Sequence, residues 1–229
     1  MKWFLTLALA LLVVGCGSPK PAQTAAQPPA QPAESTQPAA PTDTTAAKSV
    51  TPPQAVQGML KDTLIPTKLP ENLYISIKVK DYGTMKIKFY TMDAPRNVAN
   101  VANLAIKGFY NGLTFHRLIP GFMIQGGDPS GNGSGGPGYT VPAEISRRHD
   151  KGSMAMARTG DNINPKRESS GSQFYICFAP APSLDGAYTV IGQLKEGMDV
   201  LDKLATVKTG QMDKPLTPVV MEQVWVTTE

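Results

Sequence analysis

The chain has 229 residues, a formal net charge of +4, two histidines and two cysteines. This length allows one or two domains. The positive charge is small, and no Lys/Arg cluster with interleaved aromatic residues occurs, which argues against a nucleic-acid-binding protein. The two histidines lie far apart in the sequence, so a zinc site, which needs about three converging N, S or O ligands, is also disfavoured.

Residues 1–15 are typical of an export signal peptide. Lys2 gives a positive start, residues 3–14 form an apolar run, and Gly15 and Cys16 follow. About twelve helical residues span ~18 Å, which is short of the ~30 Å hydrocarbon core of a bilayer and argues against a membrane span. The sequence VVGC resembles a lipobox, the processing signal of bacterial lipoproteins. That resemblance implies cleavage before Cys16 and lipidation of its thiol; the alternative is an ordinary signal peptide with an incidental cysteine.

Residues 16–57 are predicted to form a disordered tether that begins at the lipidated Cys16. The segment consists mainly of Pro, Ala, Gln and Thr, as in PAQTAAQPPAQPAESTQPAAPTDTTAA, and cannot bury enough apolar surface to offset chain entropy. Its typical end-to-end reach is roughly 30–40 Å. The tether would hold a folded domain, predicted at residues 58–229, near the outer face of a bacterial membrane, on the cell surface or the periplasmic side.

The first elements of the predicted domain are a hairpin and a helix. YISIKVKDYGTMKIKFY alternates apolar and polar residues on both sides of a turn at residues 81–83, which predicts two paired strands. A helix is predicted to begin near Pro95, to place Val98 and Val101 on one apolar face, and to end near Gly108.

The stretch FHRLIPGFMIQGGD, residues 115–128, places polar groups in an apolar segment that predicts two strands joined by a type II turn at its central Pro-Gly. Strand alternation puts Arg117 on one face with Phe115 and Ile119, and His116 on the other. Charged groups are seldom fully buried unless they are paired. The pattern alone therefore leaves Arg117 open between a paired structural charge and a functional group.

The rest of the domain adds a glycine-rich loop, three strands and a helix. Residues 126–138 are predicted to be a flexible surface loop, because they lack the GK[ST] ending of a phosphate-binding loop and open no helix. QFYICFAP, AYTVIGQL and PVVMEQVWVTT are typical of strands, and GMDVLDKLATV is typical of a helix. Many strands and two helices predict a mainly antiparallel sheet closed into a barrel or a sandwich.

The remaining reactive side chains do not form a hydrolase motif. No GxSxG nucleophile elbow occurs. His149 lies in RRHDKG, which predicts a solvated turn. Cys177 lies in the apolar run QFYICFA and is predicted to be a small core residue rather than a reactive thiol.

Four motifs together resemble the cyclophilin family of peptidyl-prolyl cis-trans isomerases. They are APRNVANVANLA, FHRLIPGFMIQGGD, GSQFYICFAP and LDGAYTVIGQLKEGMDVLDKL, and the resemblance covers residues 74–228. It implies a closed eight-stranded antiparallel barrel with two capping α-helices and a peptide groove on its outer face. It implies no metal, nucleotide or other cofactor. We expect a monomer that binds proline-containing segments of exported polypeptides.

The resemblance also implies roles for individual residues. Arg117 would be the catalytic guanidinium, Gln125 would hydrogen-bond the substrate backbone, and Gln173 would be a polar contact near the arginine. Phe122, Met123, Tyr175 and Leu184 would wall a proline pocket, with Ala155 and Met156 at the groove edge and Tyr188 as a further substrate contact. Phe115 and His116 would be framework residues beside the site.

Four positions depart from the best-known members of the family. Tyr175 stands where Phe is usual, which adds a hydroxyl near the pocket, and Met156 stands where Asn is frequent. Tyr188 replaces a His, and Ser183 replaces a Trp that is common in eukaryotic members. Because the indole donor is missing, we predict weak cyclosporin binding.

These features predict a lipid-anchored peptidyl-prolyl isomerase that assists the folding of exported proteins at a membrane surface. The alternative is a non-catalytic tethered module that binds proline peptides, or a holdase chaperone. Arg117, Phe122, Met123 and Gln125 favour the enzyme. The changes at Tyr175 and Met156 leave room for the binding module.

Overall fold

The computed structural model describes residues 69–229. The predicted signal peptide, Cys16 and the predicted tether lie outside the described residues, as do residues 58–68 of the predicted domain. No helix in the described part of the chain is both long and apolar enough to cross a bilayer.

Residues 69–229 form ten strands, two α-helices and two short 3-10 segments. The strands are β1 Leu73–Val79, β2 Gly83–Phe89, β3 Thr114–Ile119, β4 Met123–Gly126, β5 Thr140–Val141, β6 Ser153–Met156, β7 Ser169–Ser170, β8 Phe174–Cys177, β9 Val190–Glu196 and β10 Val219–Thr228. The helices are α1 Pro95–Ile106 and α2 Met198–Leu204, and the 3-10 segments are Pro182–Leu184 and Gln211–Asp213.

Eight strands close into an antiparallel barrel in the order β1-β10-β3-β4-β8-β6-β9-β2, and β5 pairs with β7 in a separate small sheet. Helix α1 packs against β10 and α2 packs against β2. Closure pairs the backbone groups that an open sheet would leave at its edges. The eight-stranded barrel with two helices is therefore confirmed, and the sandwich is excluded.

The predicted local elements are confirmed where they depend on periodicity. Met85, Ile87 and Phe89 of the first hairpin are fully buried, as alternation requires. Pro95 opens α1, whose Val98 and Val101 are buried. Beyond its last residue, Gly108 has a φ of +73° and donates its N–H to the Ala105 carbonyl, which is a glycine stop. Gly121, with a φ of +72°, takes the third position of the predicted type II turn.

Apolar side chains form two clusters because neighbouring strand residues point to opposite faces of the barrel wall. The larger cluster fills the interior and includes Ile124, Met154 and Ile176. The smaller one is built from the residues next to them in sequence, Met123, Ala155 and Tyr175 among others. The smaller cluster, on the outer face of β4, β8 and β6, is the floor of the candidate site.

Candidate functional site

One row of side chains crosses four adjacent strands at the same level. Strand register pairs Arg117 of β3 with Gln125 of β4, Gln125 with Tyr175 of β8, and Tyr175 with Ala155 of β6. Directly opposed residues in an antiparallel pair lie close together on one face. The pairing therefore brings the predicted catalytic arginine next to predicted substrate-binding residues that come from distant parts of the sequence.

A β-bulge decides which way Arg117 faces. Phe115 pairs with Gly126 and Arg117 pairs with Gln125, so His116 is an extra residue on β3. A bulge breaks the two-residue alternation of the strand. Phe115 accordingly packs in the interior cluster, whereas Ile119 packs against the outer one. The prediction that Arg117 shares a face with Phe115 is wrong for this reason.

The Arg117 side chain is both paired and accessible. Its Nε donates a hydrogen bond to Oδ2 of Asp213 at 3.2 Å, and 34% of the arginine side chain is exposed. A paired structural charge and a functional group, the two alternatives that the sequence left open, are thus not exclusive, because Asp213 occupies only the Nε edge of the guanidinium. Asp213 is a residue that sequence reasoning missed, and no local signal in its segment points to this pairing.

Gln125 and Gln173 form a fixed pair beside the arginine. The Gln125 Nε2 donates to Oε1 of Gln173 at 2.9 Å, and Nε2 of Gln173 donates to the carbonyls of Gly133 and Gly135 at 2.9 and 2.8 Å. One of the two N–H donors of Gln125 is therefore engaged, and its Oε1, which accepts no hydrogen bond from the described residues, is open to a donor.

The glycine-rich loop is organised around a buried carboxylate. Asp128 accepts hydrogen bonds from the backbone N–H groups of Ser130, Asn132 and Gly133 at 2.7, 3.0 and 2.6 Å. The residues of the loop are largely exposed, as predicted, but its backbone is hydrogen-bonded to the side chains of Asp128 and Gln173. These N–H groups already have an anionic partner, which is a physical reason why the loop is no phosphate site.

His116 lies buried at the bulge, and neither of its ring nitrogens has a hydrogen-bond partner within the described residues. Burial lowers the pKa of the imidazole, which favours its neutral form. Phe115 is buried as well and packs edge-on against Phe174. Both placements fit the framework role that the resemblance implies.

The predicted pocket residues come together, with one exception. Met123, Ala155 and Tyr175 form the buried part of the outer cluster, and Phe122, Leu184 and Tyr188 are half-buried against it. Met156, in contrast, is buried in the interior cluster, because it follows Ala155 by one residue and points to the opposite side of β6. The structure does not bring the Met156 side chain to the groove edge.

His149 is buried rather than solvated, so the prediction of a solvated turn is wrong. Its backbone N–H donates to Oδ1 of Asp185 at 2.8 Å, its Nδ1 bonds the same oxygen at 2.8 Å, and its Nε2 bonds the Tyr175 hydroxyl at 3.0 Å. The polar composition of RRHDKG suggested exposure, but these tertiary partners satisfy every polar group of the imidazole and allow its burial.

The His149 contacts explain the hydroxyl of Tyr175. Hydrogen bonds from His149 lower the pKa of Asp185, which keeps it ionised as an acceptor for Nδ1–H. The other ring nitrogen bonds the hydroxyl of Tyr175, whose pKa is raised by burial, so that the phenol stays protonated. The hydrogen-bonded series Asp185–His149–Tyr175 therefore gives the added hydroxyl a buried partner.

Arg158 packs against Tyr188, one of the predicted substrate contacts. Its guanidinium lies 4.5 Å from the centre of the Tyr188 ring, and its Nε donates to the Ala187 carbonyl at 2.8 Å. Its Nη1 pairs with Oδ1 of Asp161 at 2.6 Å. The side chain is only 6% exposed, so this cation–π contact holds Tyr188 in a largely desolvated setting. Sequence reasoning missed Arg158, although its three-residue spacing to Asp161 was a weak signal.

Cys177 lies in the outer cluster below the pocket as a free, fully buried thiol. Burial raises its pKa to about 12, so the reactive thiolate is scarce at neutral pH. Its prediction as a small core residue is confirmed.

Comparison with known proteins agrees with this architecture. The model of the family "Cyclophilin type peptidyl-prolyl cis-trans isomerase/CLD" matches residues 74–226. A peptidyl-prolyl cis-trans isomerase of Synechococcus elongatus is 50% identical over 115 residues, which cover 50% of this chain and 75% of the relative. One from Helicobacter pylori is 43% identical over 142 residues, which cover 60% of this chain and 83% of the relative.

Two crystal structures of a Cryptosporidium parvum cyclophilin type peptidyl-prolyl cis-trans isomerase superpose on the chain. The first has a TM-score of 0.64 at 30% identity and covers 68% of this chain and 98% of its own. The second, determined in the presence of the dipeptide Ala-Pro, has a TM-score of 0.63 at 30% identity, with 68% and 99% covered. The barrel topology, the family model and these relatives agree, and the chain belongs to the cyclophilin-type peptidyl-prolyl cis-trans isomerase family.

Proposed function

We propose that this isomerase uses Arg117 as its catalytic guanidinium and the outer cluster as its proline pocket, and that it acts on exported polypeptides from a lipid anchor at Cys16. The observation that carries the site assignment is the cross-strand row. It brings a partly exposed guanidinium and an amide oxygen without a partner among the described residues next to the apolar outer cluster.

The reaction makes and breaks no covalent bond. An X–Pro peptide bond isomerises over a barrier of ~18–20 kcal/mol, and amide resonance is the source of that barrier. Twisting the bond localises the lone pair on the prolyl nitrogen. A guanidinium that donates to this nitrogen, or holds the rotating carbonyl, stabilises the twisted state more than either planar state and so accelerates the reaction.

The pocket supplies the second contribution to the rate acceleration. Met123, Phe122 and Tyr175 present apolar surface that can hold a pyrrolidine ring and exclude the water that stabilises the planar dipole. The Cryptosporidium parvum relative was crystallised in the presence of Ala-Pro, which supports a proline-containing ligand as the occupant. The Gln125 Oε1 would accept from the peptide backbone and hold the segment in register.

The required magnitudes are compatible with these parts. Reducing an event of minutes to milliseconds needs ~10⁴–10⁵-fold acceleration, or about 5.5–7 kcal/mol. One preorganised donor supplies ~3–4 kcal/mol of transition-state stabilisation. Orientation and desolvation in the pocket must supply the remaining ~1.5–4 kcal/mol, which is within the range of positioning effects.

The site assignment is tested with Arg117→Ala in the full chain. Exchange spectroscopy on an Ala-Pro peptide measures the cis-trans rate directly, and circular dichroism checks the fold. We expect kcat/KM to fall by roughly 10²–10³-fold with the barrel intact. Unchanged activity would remove Arg117 from its role. Peptide binding by the unaltered protein without faster exchange would favour the non-catalytic binding module instead.

The export and anchoring part of the proposal rests on the signal-like residues 1–15, the VVGC junction and the Pro/Ala/Gln/Thr-rich segment after it. A lipid on Cys16 and a tether of roughly 30–40 Å would keep the groove within reach of chains that emerge at the membrane. Mass spectrometry of the mature protein tests this, with Cys16→Ser as the variant. We expect a diacylated N-terminal cysteine, and a soluble Cys16→Ser protein; an unmodified Cys16 would contradict the anchor.

A further inference from the structure

The contact between Arg117 and Asp213 is directional. Asp213 approaches the Nε edge at 3.2 Å, and neither Nη1 nor Nη2 makes a hydrogen bond to residues 69–229. A guanidinium presents its five N–H groups in a rigid planar fork. A carboxylate bound at Nε restrains one edge of the group and leaves both Nη groups without a partner among the described residues.

Asp213 is carried by a loop with an unusual backbone. A bridge between Thr209 and Pro215 closes the loop, and the Gly210 N–H donates to the Lys214 carbonyl at 2.8 Å. At its tip both Met212 and Asp213 adopt left-handed conformations, with φ of 55° and 58°. Non-glycine residues are uncommon in this region and are strained there.

The side chain at the tip does not account for that conformation. Met212 is 88% exposed, so no burial of its apolar surface offsets the strain. Asp213 is the residue of the tip that reaches back to the barrel, where this segment contacts β3. The strained tip is accompanied by the ion pair between the Asp213 carboxylate and Arg117.

We propose that Asp213 is a positioning residue for isomerisation: its carboxylate holds the Nε edge of Arg117 so that the Nη edge points at the peptide bond to be twisted. The inference rests on the catalytic role proposed for Arg117. A long, flexible side chain would otherwise have to be ordered during each turnover, and misplacement of a catalytic donor is costly in rate. In this role Asp213 acts through Arg117 and not by its own contact with the substrate.

The test separates the carboxylate from the loop that carries it. Asp213→Gly removes the side chain while glycine tolerates the left-handed backbone, and Asp213→Asn keeps an oxygen acceptor at the same place. Met212→Gly relaxes the same tip but leaves the carboxylate intact, and so serves as the matched control. All variants are made in the full chain and compared by exchange spectroscopy on an Ala-Pro peptide.

We expect Asp213→Gly to lower kcat by about three- to tenfold with little change in KM, a modest factor because the pair is partly exposed. Asp213→Asn should recover most of this loss, and Met212→Gly should behave like the unaltered protein. The Nε–H resonance of Arg117 should exchange faster with water in Asp213→Gly, because its acceptor is gone.

Combination with Arg117→Ala completes the design. Asp213→Gly should cause no further loss in the Arg117→Ala background, because a positioning residue acts only through the group that it positions. If Arg117→Ala lowers activity and Asp213→Gly does not, the positioning role is wrong and the proposed function stands. Equal losses in Asp213→Gly and Met212→Gly, or a gain of activity in Asp213→Gly, would also overturn it. Full activity in Arg117→Ala would remove both proposals.

Discussion

Tyr175→Phe tests whether the buried hydrogen bond between Tyr175 and His149 stabilises the fold. The change removes one hydroxyl and keeps the ring, so the pocket wall persists. The hydroxyl lies 3.0 Å from Nε2 of His149, whose side chain is 0% exposed, and Tyr175 itself is 5% exposed. Its loss leaves a buried imidazole nitrogen without a partner, which costs ~1–3 kcal/mol.

The thermal effect follows from the size of the domain. A domain of this length loses ~2–4 °C in Tm per kcal/mol, so a central cost of ~2 kcal/mol lowers Tm by roughly 4–8 °C. Phenylalanine is the usual residue here in the family, yet it should destabilise this chain because Nε2 of His149 would lose its hydrogen-bond partner.

Urea and thermal unfolding measure the effect, and peptide exchange measures activity. The matched control is Tyr139→Phe. The Tyr139 hydroxyl donates to Asn100 Oδ1 at 2.7 Å, but the residue is 44% exposed, so water can replace the bond. We expect a clear loss of stability in Tyr175→Phe, almost none in Tyr139→Phe, and activity within about threefold of the unaltered protein in both. A Tyr175→Phe protein as stable as the original would refute the reasoning.

Three further predictions concern the surroundings of the pocket. Hydrogen bonds from His149 lower the folded-state pKa of Asp185. The contribution of Asp185 to stability is therefore present above the ordinary aspartate pKa of ~3.9 and is lost as pH falls through the lowered value. The stability cost of Asp185→Asn should thus be largest near neutral pH and shrink below about pH 4, and a cost that grows in acid would contradict this. Arg158→Ala frees the Tyr188 ring and should raise KM about three- to tenfold with a smaller change in kcat, because the pocket wall loosens; an unchanged KM would show that Tyr188 holds its place without the cation. Cyclosporin should inhibit weakly, since the exposed Ser183 offers no indole donor, and nanomolar inhibition of the purified protein would overturn that expectation.

Patterns that depend on neighbours in sequence were predicted correctly. The first hairpin, α1 with its glycine stop and the Pro-Gly turn each follow from side-chain period or from backbone preferences of Pro and Gly within a few residues. The closed barrel was harder, because period alone left a sandwich open, and the family resemblance was needed to choose between them.

Errors arose where a distant partner or a backbone irregularity decided the outcome. An extra residue at His116 turned Arg117 away from the face of Phe115, and nothing in FHRLIPGFMIQGGD marks a bulge. His149 was placed in solvent because its own segment is polar, whereas its partners Asp185 and Tyr175 follow it by 36 and 26 residues.

The sequence by itself predicted the family, both α-helices and seven of the ten strands, because long ordered motifs and local periodicity carry that information. The short strands β5, β6 and β7 were not predicted. Only the tertiary structure decided how the polar groups are paired. Asp213 pairs with Arg117 from 96 residues away. Hydrogen bonds between distant residues depend on where the folded backbone brings them, which no local pattern encodes.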